Sequence, residues 1–466
     1  MRCGPPRRQP EFRARRARER VDFRAALSQA LRVSSGALES GPRPGALRRS
    51  ALALAALALL AHGGNLLYRA HAHGCDSPLL LCPTERGAWA TGDYASYAAV
   101  ADDIRARGLL RASYYQRTPG YPWLLHASRA VTGEVSPLRW LGPLGAALAA
   151  GAGSALAARA SGQLAAGVLA GLLIALWPLG FRFSAALRPD GLHAFLAVAA
   201  LAATFAWHRR ARARDAALAA LLWSLVQSLR PSFFPVAAAL LPLLWRPLRE
   251  PQRRAAALAV AGGTLCVPLF VVASNLAQHG AAVPTQVGST NLACYAVPRL
   301  QQELGQGSFH ALRRDCEARF DALPKSRRAA AQNAHALAFF RAHPAATLRS
   351  FARELASQLG EPQSPSRHRA LYPDWLRLGR GASWAFWALA AAGLLALVRR
   401  ERALAGSLAL LFGLVMLPAA SSHLVGPRLR LPVDFLLAPA VAVALAGGAR
   451  WLAQRLARAK HSQPSA

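Results

Sequence analysis

The residues of this chain that can do chemistry are few and stand in distinctive settings. Asp93 sits in Gly92-Asp93-Tyr94, ahead of an amphipathic stretch, and Arg117 opens Arg117-Thr118-Pro119-Gly120-Tyr121-Pro122, where two prolines and a glycine constrain the backbone. Arg188 and Asp190 flank Pro189, Arg230-Pro231 interrupts an apolar hairpin, and Arg428 and Arg430 run just ahead of Asp434. The planar fork of arginine matches phosphate oxygens, and a carboxylate can take a proton from an attacking hydroxyl. One carboxylate with several arginines at the depth of a membrane interface describes a site for a lipid-linked phosphate.

Each residue also has a plainer reading. Asp93 can cap the helix that follows it, because aspartate accepts from free backbone N–H groups there. Arg230 can pair with Asp190, and Arg428 or Arg430 can extend to lipid headgroups. Asp102-Asp103 reads as a solvated face. His193, inside an apolar run, reads as a core residue. The first loop holds no D-x-D or E-x-D, and no His/Cys cluster has metal-ligand spacing, so neither metal nor cofactor is expected.

Apolar runs long enough to cross hydrocarbon must position these groups. Of 466 residues, 53% are hydrophobic and only 17% are charged. The runs fall near Ala51–Tyr68, Leu138–Ala158, Leu164–Pro178, Gly191–Trp207, Ala216–Leu229, Ser232–Trp245, Ala255–Ser274, Ser383–Val398, Ala403–Leu417 and Leu431–Gly448. The expected fold is all-α, a polytopic bundle of about ten transmembrane helices. Arginines occupy alternate connections: Arg43, Arg48 and Arg49, then Arg159, then Arg209 to Arg214, then Arg246 to Arg254, then Arg399 to Arg402, then Arg450 to Arg458. Positive charge marks the cytoplasmic side, which places both ends there. A cleaved signal peptide is the competing reading of the first run, but its charged leader is too long.

The organisation that follows is a basic tail at 1–50, a transmembrane region at 51–274, later helices at 383–450 and a short tail at 451–466. Two long connections, 69–137 and 275–382, face the other side, the periplasm of a bacterial inner membrane. Loops of that length usually carry function. Amphipathic surface helices are expected at Tyr94–Ile104, from Pro122 towards Val131, at His335–Phe340 and at Ala346–Leu359. Four of the six cysteines lie in these loops, so Cys75–Cys82 and Cys294–Cys316 disulfides are expected, with four unrelated thiols as the alternative. The net charge of +34 raises nucleic acid as a partner, but the arginines flank apolar runs and no nucleic-acid-binding motif accompanies them, which excludes that class.

The order of these motifs resembles the first outer loop of polytopic GT-C glycosyltransferases, nearest to the protein-mannosyltransferase and lipid A aminoarabinose-transferase branch. The resemblance rests on Gly92-Asp93-Tyr94-Ala95-Ser96-Tyr97, Gly108 and Arg117 to Pro122, followed by Trp177-Pro178, Arg188-Pro189-Asp190-Gly191-Leu192 and Leu229-Arg230-Pro231. Gly426 to Pro432 resembles that branch's entry to its last span, with Leu429 where tyrosine is usual. It covers roughly residues 50 to 450. What it implies is inverting transfer of a sugar from a polyprenyl-phosphate donor to a glycan, lipid or protein acceptor. Asp93 then matches the catalytic acidic residue, and Tyr94, Arg117, Tyr121, Arg188, Asp190, Arg230, Arg428 and Arg430 bind substrate. The alternative is a transporter or flippase of a lipid-linked saccharide, which would favour internal repeats and broken helices.

Overall fold

The computed structural model describes residues 43–72, 93–231, 234–360, 380–421 and 430–461, and every regular element among them is helical. Helix α1 (Pro44–Ala72) precedes two short helices, α2 (Tyr94–Arg107) and α3 (Gly120–Thr132). Then come α4 (Leu141–Ser161), α5 (Leu164–Leu176), α6 (Pro178–Ser184), α7 (Pro189–Arg210) and α8 (Ala213–Leu229). The short α9 (Val236–Ala239) and α10 (Leu241–Arg249) lead into the long α11 (Pro251–His279). The second outer loop contains α12 (Gln286–Asn291), a π-helical turn at Leu292–Ala296, α13 (Val297–Glu303), α14 (Phe309–Asp321), α15 (Lys325–Ala342) and α16 (Pro344–Gly360). Helices α17 (Arg380–Val398), α18 (Arg402–Ser421) and α19 (Leu431–His461) follow.

The chain is an all-α polytopic membrane protein. Among the described residues seven helices are long and apolar enough to cross a membrane, or eight if α5 and α6, bent by 50° at their junction, count as one span. This is fewer than the ten runs of the sequence. Helix α8 has 17 residues, and the run near Ser232–Trp245 breaks into α9 and α10, of 4 and 9 residues. Proline explains the breaks: Trp177 and Arg230 each precede one and take extended backbone, as a pre-proline residue prefers.

Contacts between helix ends nevertheless mark two ends of the bundle among the described residues. At the arginine-rich end, Arg253 donates to the His208 carbonyl at 2.7 Å, Arg209 pairs with Glu401 at 3.0 Å, and Arg400 donates to the Ser161 carbonyl. At the opposite end Arg230 pairs with Asp190, Trp177 donates to Asp434 at 3.0 Å, and Ser113 meets His279 at 2.7 Å. Among the described residues the short α8 and the α9–α10 pair also run between these two ends, although each falls below the length of a full span. Small residues allow the close crossings, as in many membrane bundles. A Cβ at Gly393 on α17 would collide with the Ala440 backbone of α19, and one at Gly263 on α11 would strike the backbone of Ala220 on α8.

Boundaries shift where polar residues extend an apolar run. Helix α1 begins at Pro44, inside the expected tail, and α11 continues to His279. The surface helices α2 and α3 stand where expected, with α3 opening at Gly120. The second loop is more structured than its sequence periodicity indicates: α12 to α14 were not anticipated, and α15 starts ten residues ahead of His335. The Cys294–Cys316 disulfide is present and joins the π-helical turn to α14. Cys75 and Cys82 lie outside the described residues.

One buried network ties the last helices to the loop. Arg430, with no exposed surface, donates to Asp434 at 3.3 Å and to the carbonyls of Gln358 and Leu359 at 2.6 and 2.9 Å. A burial this complete needs such partners, because desolvating an ion costs several kcal/mol.

Two expectations follow from this architecture. Reporter fusions at Arg212, Arg253 and Arg400 should read one side of the membrane and fusions at Gly87 and Lys325 the other; a signal at Arg253 matching that at Lys325 would refute the end assignment. Arg430→Ala should destabilise the protein by about 3–5 kcal/mol, since it strands Asp434 in the interior. Arg430→Met with Asp434→Asn should recover most of that loss in detergent melting experiments, because it removes both charges together.

Candidate functional site

Asp93 stands at the start of α2, but its carboxylate makes no capping hydrogen bond. Its backbone is helical, at φ −79° and ψ −22°, and its carbonyl accepts from Ser96 Oγ at 2.7 Å. The carboxylate turns to Arg117, whose Nη2 donates to Oδ1 at 3.0 Å while Nε donates to Ser96 Oγ at 2.8 Å. The guanidinium also lies over the Tyr97 ring, 4.9 Å from its centre. The side chain of Asp93 keeps 29% exposure and that of Arg117 19%, so the pair is reachable from outside.

The Thr118-Pro119-Gly120 corner carries Arg117 into place. A Cβ on Gly120 would overlap Ser228 on α8, so only glycine lets α3 approach that helix. Tyr121 follows directly, is buried, and meets Tyr97 edge to face at 5.2 Å. Burial pushes its phenol well above the usual value; the neighbouring phenols and Asp190 add to the rise, and Arg188 opposes it. Tyr121 and Arg188 line the same small recess, together with Gly142, Phe183 and Ser184. Tyr94 is half-buried and accepts from Arg129 at 3.4 Å.

Arg188 and Arg230 share a device. Each is an extended residue held before a proline, at φ −150° and −151°, and each stands at a helix terminus at the same end of the bundle. Asp190 lies in the first turn of α7, where the helix dipole favours a negative charge. It is 1% exposed and pairs with Arg230, so the structural pairing of these two residues is the one adopted.

The structure thus gathers Asp93, Tyr94, Arg117, Tyr121, Arg188, Asp190 and Arg230 around the tops of α2, α3, α7 and α8. The apolar cluster of Tyr97, Tyr121, Leu125, Leu187 and Leu229 binds these elements together. Arg430 is not with them: its guanidinium is taken up by protein acceptors in the network described above. Arg428 lies outside the described residues. Asp103 is not the solvated residue its sequence setting indicates. It pairs with Arg107 and accepts the Ser113 N–H at 2.7 Å, and the arginine holds its carboxyl below the usual range. Asp102 does stay exposed, pairing with Arg129 at 2.8 Å.

Residues of the second loop also reach this region. The Tyr115 hydroxyl donates to the Lys325 carbonyl at 2.8 Å, and the Gln286 N–H donates to the Tyr115 carbonyl at 2.7 Å. Tyr295, on the π-helical turn, lies under the Arg313 guanidinium at 4.2 Å, and Arg313 pairs with Glu317 at 2.9 Å. Burial raises the Tyr295 phenol, and it sits close enough to Asp93 and Arg117 to feel both charges. Sequence periodicity carries no signal for a π-helical turn. The neighbouring Cys294 is the one hint that this segment is pinned. Arg139 was missed as well: it is buried beside the recess and donates to the Ala185 carbonyl at 3.1 Å. Among the described residues no group of three His, Cys, Asp or Glu side chains is placed to hold a metal ion.

No protein-family model matches the chain, and no curated protein matches it. Among solved structures it is similar to the oligosaccharyltransferase AglB from Archaeoglobus fulgidus, in complex with an inhibitory peptide and a dolichol-phosphate. That similarity has 15% identity and a TM-score of 0.48, over 89% of this chain and 52% of that one, so the chain spans about half the length of AglB. ArnT from Cupriavidus metallidurans is similar over 75% of this chain and 72% of its own. Its apo structure gives 13% identity and a TM-score of 0.28, and its complex with undecaprenyl phosphate gives 14% and 0.30. Similarity at this level transfers no role to an individual residue.

Proposed function

We propose that the protein is a membrane glycosyltransferase that moves a sugar from a polyprenyl-phosphate donor to a glycan, lipid or protein acceptor, with inversion and with its site on the periplasmic face of a bacterial inner membrane. One observation carries this reading: the half-exposed Asp93 carboxylate is oriented by Arg117 rather than used to cap its helix. A carboxylate held in that way, at an interface rich in arginine, suits a base that takes the proton of an acceptor hydroxyl. Arg117 and Arg188 supply guanidinium groups to the phosphate that leaves the sugar, where developing charge is best met by fixed donors. Arg230 and Asp190 act one step back, as a buried pair that anchors the start of α7 behind Arg188. No step requires a metal, since guanidinium groups stabilise the phosphate leaving group. The resemblance of the motif order to GT-C enzymes gives Asp93 the same role.

The reaction balances simply. The acceptor oxygen forms a bond to the anomeric carbon from the face opposite the phosphate, the carbon–oxygen bond to the phosphate breaks, and the acceptor proton passes to Asp93. The polyprenyl phosphate departs with the bonding electrons.

The decisive variant is Asp93→Asn, tested with purified protein. It preserves shape and leaves the helix start unchanged, so the protein should fold and bind donor normally. Turnover should fall by about 10²–10⁴, the usual contribution of a general base. Near-normal turnover would end this mechanism. Asp102→Asn is the matched control, because an exposed ion pair contributes little and should leave transfer intact.

Binding of a polyprenyl-phosphate analogue separates the arginines. Arg117→Ala and Arg188→Ala should each weaken it by about 1.5–3 kcal/mol, the scale of a lost charge-assisted hydrogen bond. Arg430→Lys, where the folded fraction is recovered, should leave affinity unchanged. Normal affinity in both alanine variants would place the phosphate elsewhere.

A further inference from the structure

The end of the bundle opposite Asp93 carries a feature that sugar transfer does not use. Beside the crossing of α1 and α4 runs a groove of about 1060 Å³. Small-molecule sites usually occupy about 300–1,000 Å³, so this space suits a larger apolar body. Its floor is apolar and built from small residues, among them Ala51, Ala55, Ala147, Gly151 and Ala155. Four arginines from three helices line its mouth: Arg48 of α1, Arg159 of α4, and Arg209 and Arg210 of α7.

Charge at that mouth is unbalanced. Arg209 pairs with Glu401 at 3.0 Å and Arg210 with Asp215 at 3.8 Å. Arg48 and Arg159 form no ion pair among the described residues. Four guanidinium groups against two carboxylates leave the mouth net positive at the arginine-rich end of the bundle. The rest of α1 is thinly covered, with Leu52 60% and Leu60 74% exposed, so the groove opens along a helix that lipid must touch.

We propose that this groove binds an anionic phospholipid of the adjoining leaflet, with its acyl chains along α1 and α4 and its phosphate among Arg48, Arg159, Arg209 and Arg210. Basic pockets between membrane helices recognise anionic headgroups in this way. Charge complementarity selects the occupant. The chain's own segment ahead of Arg43 is itself rich in arginine, including Arg13, Arg15 and Arg16, and would be repelled by the mouth. A zwitterionic lipid brings a cation of its own and gains less. Nothing in this site depends on Asp93 or on the transfer reaction. The bound lipid bridges the start of α1 to the ends of α4 and α7, which otherwise hold several like charges close together.

Native mass spectrometry of the purified full chain tests this, with phosphatidylglycerol and phosphatidylcholine of matched acyl chains as probes. The wild type should retain phosphatidylglycerol in preference. The double variant Arg48→Ala/Arg159→Ala should lower its affinity about thirtyfold, from two basic side chains at their usual worth near an anionic surface. Neither arginine has an ion pair to lose, so the lipid-free melting temperature should not change. Ala155→Phe should reduce retention too, by filling the floor of the groove. Equal retention of the two lipids by the wild type, or undiminished phosphatidylglycerol affinity in the double variant, would overturn the site. So would phosphatidylglycerol binding that appears only after residues 1–42 are removed, which would give the groove to that segment.

Discussion

Within hydrocarbon, every backbone polar group and every charge must find its partner inside the protein. That constraint organises the whole molecule. It makes each described element helical and drives the arginines to helix ends. It allows an ion deep in the fold only where several acceptors converge. The Arg430 network is the clearest case, because its guanidinium meets one carboxylate of α19 and two carbonyls of α16. Asp434 in turn accepts the Trp177 indole, so the bend between α5 and α6 is pinned to the start of α19. Taking away either charge alone leaves the other without compensation in a low dielectric.

The two carboxylates near the tops of α2 and α7 illustrate how one residue type takes two roles. Asp190 is enclosed and paired with Arg230, which ties the start of α7 to the end of α8. Asp93 keeps part of its surface and pairs with an arginine that is itself held by Ser96 and the Tyr97 ring. A closed pair stabilises geometry, whereas an open pair can exchange its partner for a ligand. The proline after each of Arg188 and Arg230 holds that arginine in extended backbone, so that Pro189 opens α7 and Pro231 follows the end of α8.

The second outer loop completes the region from above. Its contacts with Tyr115 and the disulfide between Cys294 and Cys316 hold the π-helical turn over the first loop. Tyr295 is held under the Arg313 guanidinium and feels the charge of Asp93, to which it has no spacing relation in the chain.

Much of this arrangement is legible in the sequence by itself. Apolar runs, the alternation of arginine-rich connections and the X-Pro junctions reflect the preference of each residue for its solvent or its backbone, and such preferences are local. They determined the fold class, the two ends of the bundle, the surface helices and the residues gathered near Asp93. Tertiary structure decided who pairs with whom. Asp93 turned to Arg117 instead of its own helix, Asp103 took up Arg107 and the Ser113 amide, and Arg430 turned to acceptors in the core. It also joined Tyr295 to Arg313 and Tyr115 to Lys325 across the loops. Each of these outcomes depends on two groups distant in the chain reaching the same point in space, and residue type and local spacing carry no record of that meeting.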